Sequence, residues 1–192
     1  MKLTKNVLTV SSLVSVLVLS ACGGGGSIAT LAPTPTPVPA PAPTPTLTAS
    51  ECPIGDYKSA VAAEINAIRS RPQSCGTVTY PAVGALVWNG QLEAAAAAHS
   101  TDMALNNFFA HPGSDGSRIG ARASVAGYSY KKVGENIAGG QPSAAQVSGD
   151  WLVSASHCSN MMTASFVDIA VSCKYNPSST YQYYWTLVMG NR

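Results

Sequence analysis

From Gly23 to Ser50 the chain is glycine-rich and then an almost unbroken alternation of proline with threonine and alanine, as in Pro33-Thr34-Pro35-Thr36-Pro37. A segment of that composition cannot bury a core. Proline holds it in extended polyproline II, which makes it a semi-rigid spacer reaching about 3 Å per residue. Whatever folds must be built from Glu51 to Arg192, and roughly 140 residues is a usual size for one domain. One core is expected, not two.

Upstream of the spacer, Lys2 and Lys5 precede an apolar run from Val7 to Leu19, interrupted only by Thr and Ser. The run is shorter than the twenty or so residues that cross a bilayer, and small residues follow it, as in a signal peptide. Leu19-Ser20-Ala21-Cys22 resembles the lipobox of bacterial lipoproteins. That resemblance implies a cleaved signal peptide over residues 1–21 and an acylated Cys22 as the first residue of the mature chain. A tether follows over 22–50 and a domain over 51–192. Several acyl chains on one cysteine hold a protein at a membrane far better than one. Gly23 stands where the resemblance would place Asp for inner-membrane retention, so the expected location is the bacterial envelope, at the outer membrane.

Without Lys2 and Lys5, nine basic side chains face nine acidic ones. A neutral domain with no basic run cannot neutralise a row of phosphates, so nucleic acid is excluded as a partner. Setting Cys22 aside leaves Cys52, Cys75, Cys158 and Cys173, an even number in an exported domain, which predicts two disulfides. The local pairs Cys52 with Cys75 and Cys158 with Cys173 are expected. Each would close a loop of about 15 to 25 residues and contribute on the order of 3 kcal/mol. The absence of any Cys-x-x-Cys spacing argues against a zinc-thiolate site.

Tyr57, Val61, Ile65 and Ile68 recur at helical spacing up to Arg71-Pro72, predicting a first helix. A second runs from Gln91 to Asn107 and carries the alanine run Ala94 to Ala98. A short third covers Arg118 to Val125, ending at Gly127, and a fourth covers Ser143 to Ser156, with Val147 and Trp151 on its buried side. Phe166 to Tyr175 and Tyr181 to Met189 alternate as strands joined by a loop at Asn176 to Thr180, and a third strand is predicted over Lys132 to Ala138. Trp151, Trp185, Tyr181, Tyr183 and Tyr184 are expected as core or strand-pair residues rather than a ligand groove. Helices early and antiparallel strands late predict a layered α+β fold.

Three histidines are present. His111 follows the second helix and precedes Pro112, on a loop, where function concentrates. Glu135 lies in Gly134-Glu135-Asn136, where a glycine allows close backbone approach. His157 stands three after Ser154 and would share a helical face with it. His99 lies on the apolar stripe of the second helix and is expected to be packed. Two imidazoles and a carboxylate suit zinc or another divalent cation, with a coordination position left open.

The ordered series Asp102-Met103-Ala104, Asn107-Phe108-Phe109-Ala110-His111, Gly134-Glu135-Asn136-Ile137-Ala138, Trp151-Leu152-Val153-Ser154-Ala155-Ser156-His157 and Tyr184-Trp185-Thr186 resembles the CAP superfamily. That superfamily comprises cysteine-rich secretory proteins, antigen 5 and pathogenesis-related 1 proteins, and the likeness is to its bacterial branch. The resemblance implies a three-layer α-β-α sandwich with a small antiparallel sheet. It also implies a surface cleft in which His111 and His157 bind a divalent metal beside Glu135. The second acid of the eukaryotic pattern falls at Ser154. The expected function is an envelope-anchored binding module whose cleft takes a metal and a small or lipid-like ligand. The alternatives are a hydrolase with Ser154 as nucleophile, His157 as base and Glu135 orienting it, and a zinc hydrolase with Glu135 as general base. A domain acting only through its exposed faces is the remaining one.

Overall fold

The computed structural model describes residues 48–192; the predicted signal peptide, Cys22 and most of the tether lie outside them. Apolar side chains at spacings of three and four give α1 (Tyr57–Arg69), which buries Tyr57, Val61, Ile65 and Ile68 on one stripe. Asn89 opens α2 (Gly90–Asn106) by accepting the N–H groups of Gln91 and Leu92, and Asn107 closes it in the left-handed conformation that asparagine tolerates. The short helices are α3 (Ile119–Val125), α4 (Ala144–Val153) and α5 (Ala155–Met161).

The main sheet runs in the order β1 (Ser50–Glu51), β6 (Asp168–Tyr175), β7 (Tyr183–Asn191), β5 (Lys132–Gly139), with β4 (Val87–Trp88) added parallel to β6. A separate hairpin pairs β2 (Gln73–Cys75) with β3 (Val78–Tyr80). The sheet is covered on both faces. On one, Ile169, Val171, Trp185, Leu187 and Met189 pack against α1, α4 and α5. On the other, Ala170 and Val188 meet Leu92 and Ala96 of α2 and Ala123 of α3, and Tyr184 meets Met103 and Ala104. Residues two apart share a face, so this alternation of two apolar sets builds the three-layer α-β-α sandwich.

Three expectations are corrected. The last strand begins at Tyr183, which leaves Tyr181 in a loop and 41 % exposed. The predicted fourth helix breaks at Ser154, whose ψ of 117° is extended and whose carbonyl accepts the Cys158 N–H at 2.8 Å to start α5. The disulfides are not local: Cys52 bonds Cys173, 121 positions away, and Cys75 bonds Cys158, 83 positions away. β1 lies beside the end of β6 that carries Cys173, and the β2–β3 hairpin lies against α5, so tertiary packing and not loop length brings each pair together.

One buried cation was not foreseen. Arg69, fully buried at the end of α1, donates to the carbonyls of Gly84, Met161, Thr163 and Phe166 at 2.5–3.3 Å. Five N–H donors in a planar fork can satisfy that many carbonyls at once. The side chain ties α1 to the C-terminal end of α5 and the segment leading into β6.

Candidate functional site

β5 organises the site because its successive residues point to opposite faces of the sheet. Gly134 is the position at which α5 comes nearest: a Cβ there would collide with the Asn160 side chain and stand 2.9 Å from Phe166 Cζ. Glu135 turns towards α2 and α3, and Asn136 turns towards α5. Asn136 donates to the His157 carbonyl at 3.1 Å and accepts from Asn160 at 2.8 Å, fixing the turn of α5 that carries His157.

The Glu135 side chain is only 2 % exposed, and both of its oxygens are engaged. Oε1 accepts from His111 Nδ1 at 2.9 Å and Oε2 from Arg122 Nη2 at 2.7 Å. Burial by itself would raise this carboxyl; the His111 hydrogen bond and the Arg122 charge outweigh it and hold the group below its ordinary range. Arg122 also donates to the Ser117 and His111 carbonyls, at 2.6 and 3.2 Å, so one guanidinium shapes the loop that presents His111. A carboxylate only accepts, so Nδ1 of neutral His111 carries the proton and the lone pair lies on Nε2. The ring is about half exposed.

His99 packs behind this group as expected: it is fully buried, its Nε2–H donates to the Ala110 carbonyl at 3.0 Å, and burial lowers its pKa from the ordinary 6.5. His157 is half-buried, and neither ring nitrogen has a hydrogen-bond partner among the described residues. Burial lowers its pKa, and charge on His111 lowers it further, so the two imidazoles lie near enough to feel each other. His157 and Ser154 line a hollow of about 290 Å³ together with Phe109, Tyr181, Gln141 and Asp150. A larger groove of about 500 Å³ runs between α2 and α3, but none of the four predicted site residues lines it.

The predicted set therefore divides. Ser154 and His157 line the hollow, and His111 does not line it but lies within electrostatic reach of His157, whereas both oxygens of Glu135 are taken by His111 and Arg122. Ser154 Oγ has Ser156 Oγ, 3.4 Å away, as its partner and makes no hydrogen bond to His157. Glu135 orients His111 instead of His157, so the relay needed for a serine nucleophile is not assembled. Among the described residues no cluster of three or more His, Cys, Asp or Glu converges on one point. Donors that fit a divalent cation are the two imidazoles: one has its outer nitrogen oriented by a buried carboxylate, the other is kept neutral by burial.

Sequence reasoning missed Arg122 and Asn136. Asn136 could have been found from its place in the Gly134-Glu135-Asn136 run, where strand alternation sends neighbours to opposite faces. Arg122 gave no local signal, since a short helix with one arginine ordinarily turns that residue to solvent.

Comparisons with known proteins agree with the fold. The profile of CAP, the cysteine-rich secretory protein family, matches residues 62–189. An extracellular protein containing an SCP domain from Bacillus anthracis superposes with a TM-score of 0.51 at 25 % identity, covering 57 % of this chain and 35 % of that one. The chain thus spans about a third of the Bacillus protein's length. An outer surface protein from Borrelia burgdorferi superposes with a TM-score of 0.52 at 19 % identity, covering 57 % of this chain and 80 % of that one. A search of curated proteins finds no match. With a family match over two thirds of its length, the chain belongs to the CAP family of cysteine-rich secretory proteins.

Proposed function

We propose that this protein is an extracytoplasmic binding module, held at the outer membrane by acylated Cys22 and presenting a cleft that takes a divalent cation, such as zinc, through His111 and His157. The observation that carries this reading is the use of Glu135. Its buried carboxylate fixes the His111 ring by Nδ1 and turns Nε2 outward, the arrangement by which a carboxylate behind a histidine prepares it as a ligand. With Glu135 committed and Ser154 unpaired with His157, the cleft is equipped to bind and not to carry out hydrolysis. A cation held by two imidazoles would keep coordination positions open for a ligand oxygen. Support for the location comes from the leader and Cys22 in the sequence and from the Bacillus protein being described as extracellular.

Calorimetric titration of zinc into the metal-free domain at pH 7.5 tests the cleft. One ion is expected per domain, lost in His111→Ala and in His157→Ala and weakened about 10- to 100-fold in Glu135→Gln. Binding should fade on acidification as protons compete for the imidazoles; burial lowers the His157 pKa, so that ring is lost to protons only at a lower pH than an ordinary histidine. No uptake, or uptake that survives loss of both histidines, overturns the reading.

A further inference from the structure

The hollow beside His157 carries more construction than a metal site requires. Phe109 and Tyr181 pack directly against each other at its rim, ring centroids 5.1 Å apart and planes tilted by 47°, and each is 41 % exposed. Exposed aromatic pairs are costly to hold in water, and these two are held deliberately. Asn107 and Gln182, which flank them in sequence, are the two non-glycine residues with positive φ among the described residues, at 50° and 62°. Asn107 Oδ1 accepts both the Thr180 N–H at 2.7 Å and the Tyr184 hydroxyl at 3.1 Å, bracing one aromatic-bearing loop against the other. Tyr181 lies against Gly139, where a Cβ would stand 2.9 Å from Cγ of its ring. Left-handed residues maintained by surrounding structure gather at binding sites.

Ile137, Ala138 and Trp151 give the hollow a mainly apolar lining, into which Gln141, Asp150, Ser154 and His157 bring polar groups. Gln141 donates to Asp150 Oδ2 at 3.0 Å, while its Oε1 is buried without a donor among the described residues. Asp150 is the one charged side chain lining the hollow if His157 is neutral, and neither Lys nor Arg lines it. The hollow's own side chains hold no lysine or arginine with which to pair an anionic ligand. An acyl chain would offer Gln141 Oε1 no donor and would strip water from the Asp150 carboxylate.

We propose that the Phe109–Tyr181 pair is a sugar-binding platform: it takes the apolar C–H face of a neutral hexopyranose unit of a glycan, whose edge hydroxyls or acetamido group reach Gln141, Asp150 and Ser154. The inference rests on the cleft of the proposed function and names its ligand class, but it does not need the metal. Stacked aromatic faces supply affinity that is modest per sugar and additive along a chain.

The test is an NMR titration of the domain with tri-N-acetylchitotriose and with cellotriose, run with and without chelator. Binding on the order of millimolar is expected for at least one, with the Phe109 and Tyr181 ring signals shifting. Phe109→Ala and Tyr181→Ala should each weaken it by about tenfold, whereas Phe109→Trp, which keeps a flat apolar face, should retain it. Unchanged thermal unfolding of the variants establishes that they fold. No shift with either saccharide overturns the proposal, as does binding indifferent to both alanine variants, or displacement of the saccharide role by a proline-rich peptide or a detergent micelle at the same residues. Saccharide binding that persists in chelator while zinc uptake fails would sink the metal reading and leave this one standing; the reverse pattern would do the opposite.

Discussion

Glu135 shows how much a single buried charge depends on its partners. Arg122, 7 % exposed, lies 2.7 Å away, and the pair is balanced by hydrogen bonds from His111 on one side and to carbonyls on the other. Removing one member of such a pair leaves the other buried and uncompensated, at a cost of about 3–5 kcal/mol. The Arg122→Met variant should lose stability of that order at pH 7. The pH dependence gives the sign. In the native protein the Glu135 carboxyl lies below its ordinary value, so its contribution is present at neutral pH and is lost only as pH falls through that lowered value. Without Arg122 the largest influence left is burial, which raises the group, and a protonated carboxyl is cheaper to bury. The stability gap between the two proteins should therefore narrow as the solution is acidified from pH 7 to pH 4. Urea unfolding across that range measures it, and a gap that stays constant would show that Arg122 acts by packing alone. His99 illustrates the opposite case: a histidine on an apolar stripe is usually packed, and it is. The residues that touch Glu135 from other elements were visible in the sequence only as types, because a local pattern carries no distance between positions 13 or 24 apart.

At the scale of elements, what was legible followed from periodicity. The spacing of Tyr57, Val61, Ile65 and Ile68 fixes α1, and β-branched alternation fixes β6, because each pattern has one way to bury its apolar face. The break at Ser154 carried no glycine or proline to announce it, so α4 and α5 look like one helix. The β2–β3 hairpin is short, largely exposed and turned by Gly76, with little hydrophobic alternation to reveal it. β5 is the element on which the site depends most, and its weakest point is Gly134. Adding a methyl group there drives the strand into Asn160 and Phe166, the first of which also holds Asn136. Overpacking of this kind costs about 1–3 kcal/mol. Gly134→Ala should lower the denaturation midpoint accordingly and, by displacing α5, weaken zinc binding at His157 while leaving the His111 to Glu135 contact in place. Gly84→Ala, where a Cβ meets nothing, is the control. Equal behaviour of the two variants in both measurements would remove the steric account of the glycine.

For the whole molecule, the two bridges matter through their nesting: Cys75–Cys158 lies inside the span closed by Cys52–Cys173. One ties the first strand to the sheet, and the other ties the β2–β3 hairpin to α5 on the far helical layer. Spans of 83 and 121 residues would each contribute about 5 kcal/mol if formed alone, more than the local pairs expected from sequence. Each bridge shortens the loop left for the other, so replacing one pair by alanine should cost somewhat less, about 3–4 kcal/mol. The connectivity itself can be read by digestion. No Lys or Arg lies between Cys158 and Cys173, so trypsin leaves both on one fragment, Val133 to Lys174. Nested bridges join that fragment to the separate peptides carrying Cys52 and Cys75, giving one three-peptide species. Local bridges would instead give a Cys52–Cys75 pair and an internally closed fragment. Cyanogen bromide then cuts at Met161 and Met162 and should leave Cys158 with Cys75 and Cys173 with Cys52. Mass spectrometry under non-reducing conditions distinguishes every possible pairing. A fragment from Val133 to Lys174 recovered without partners would mean that β1 is not fastened to β6 and the hairpin is not fastened to α5, and the layer carrying His157 would lose its covalent brace.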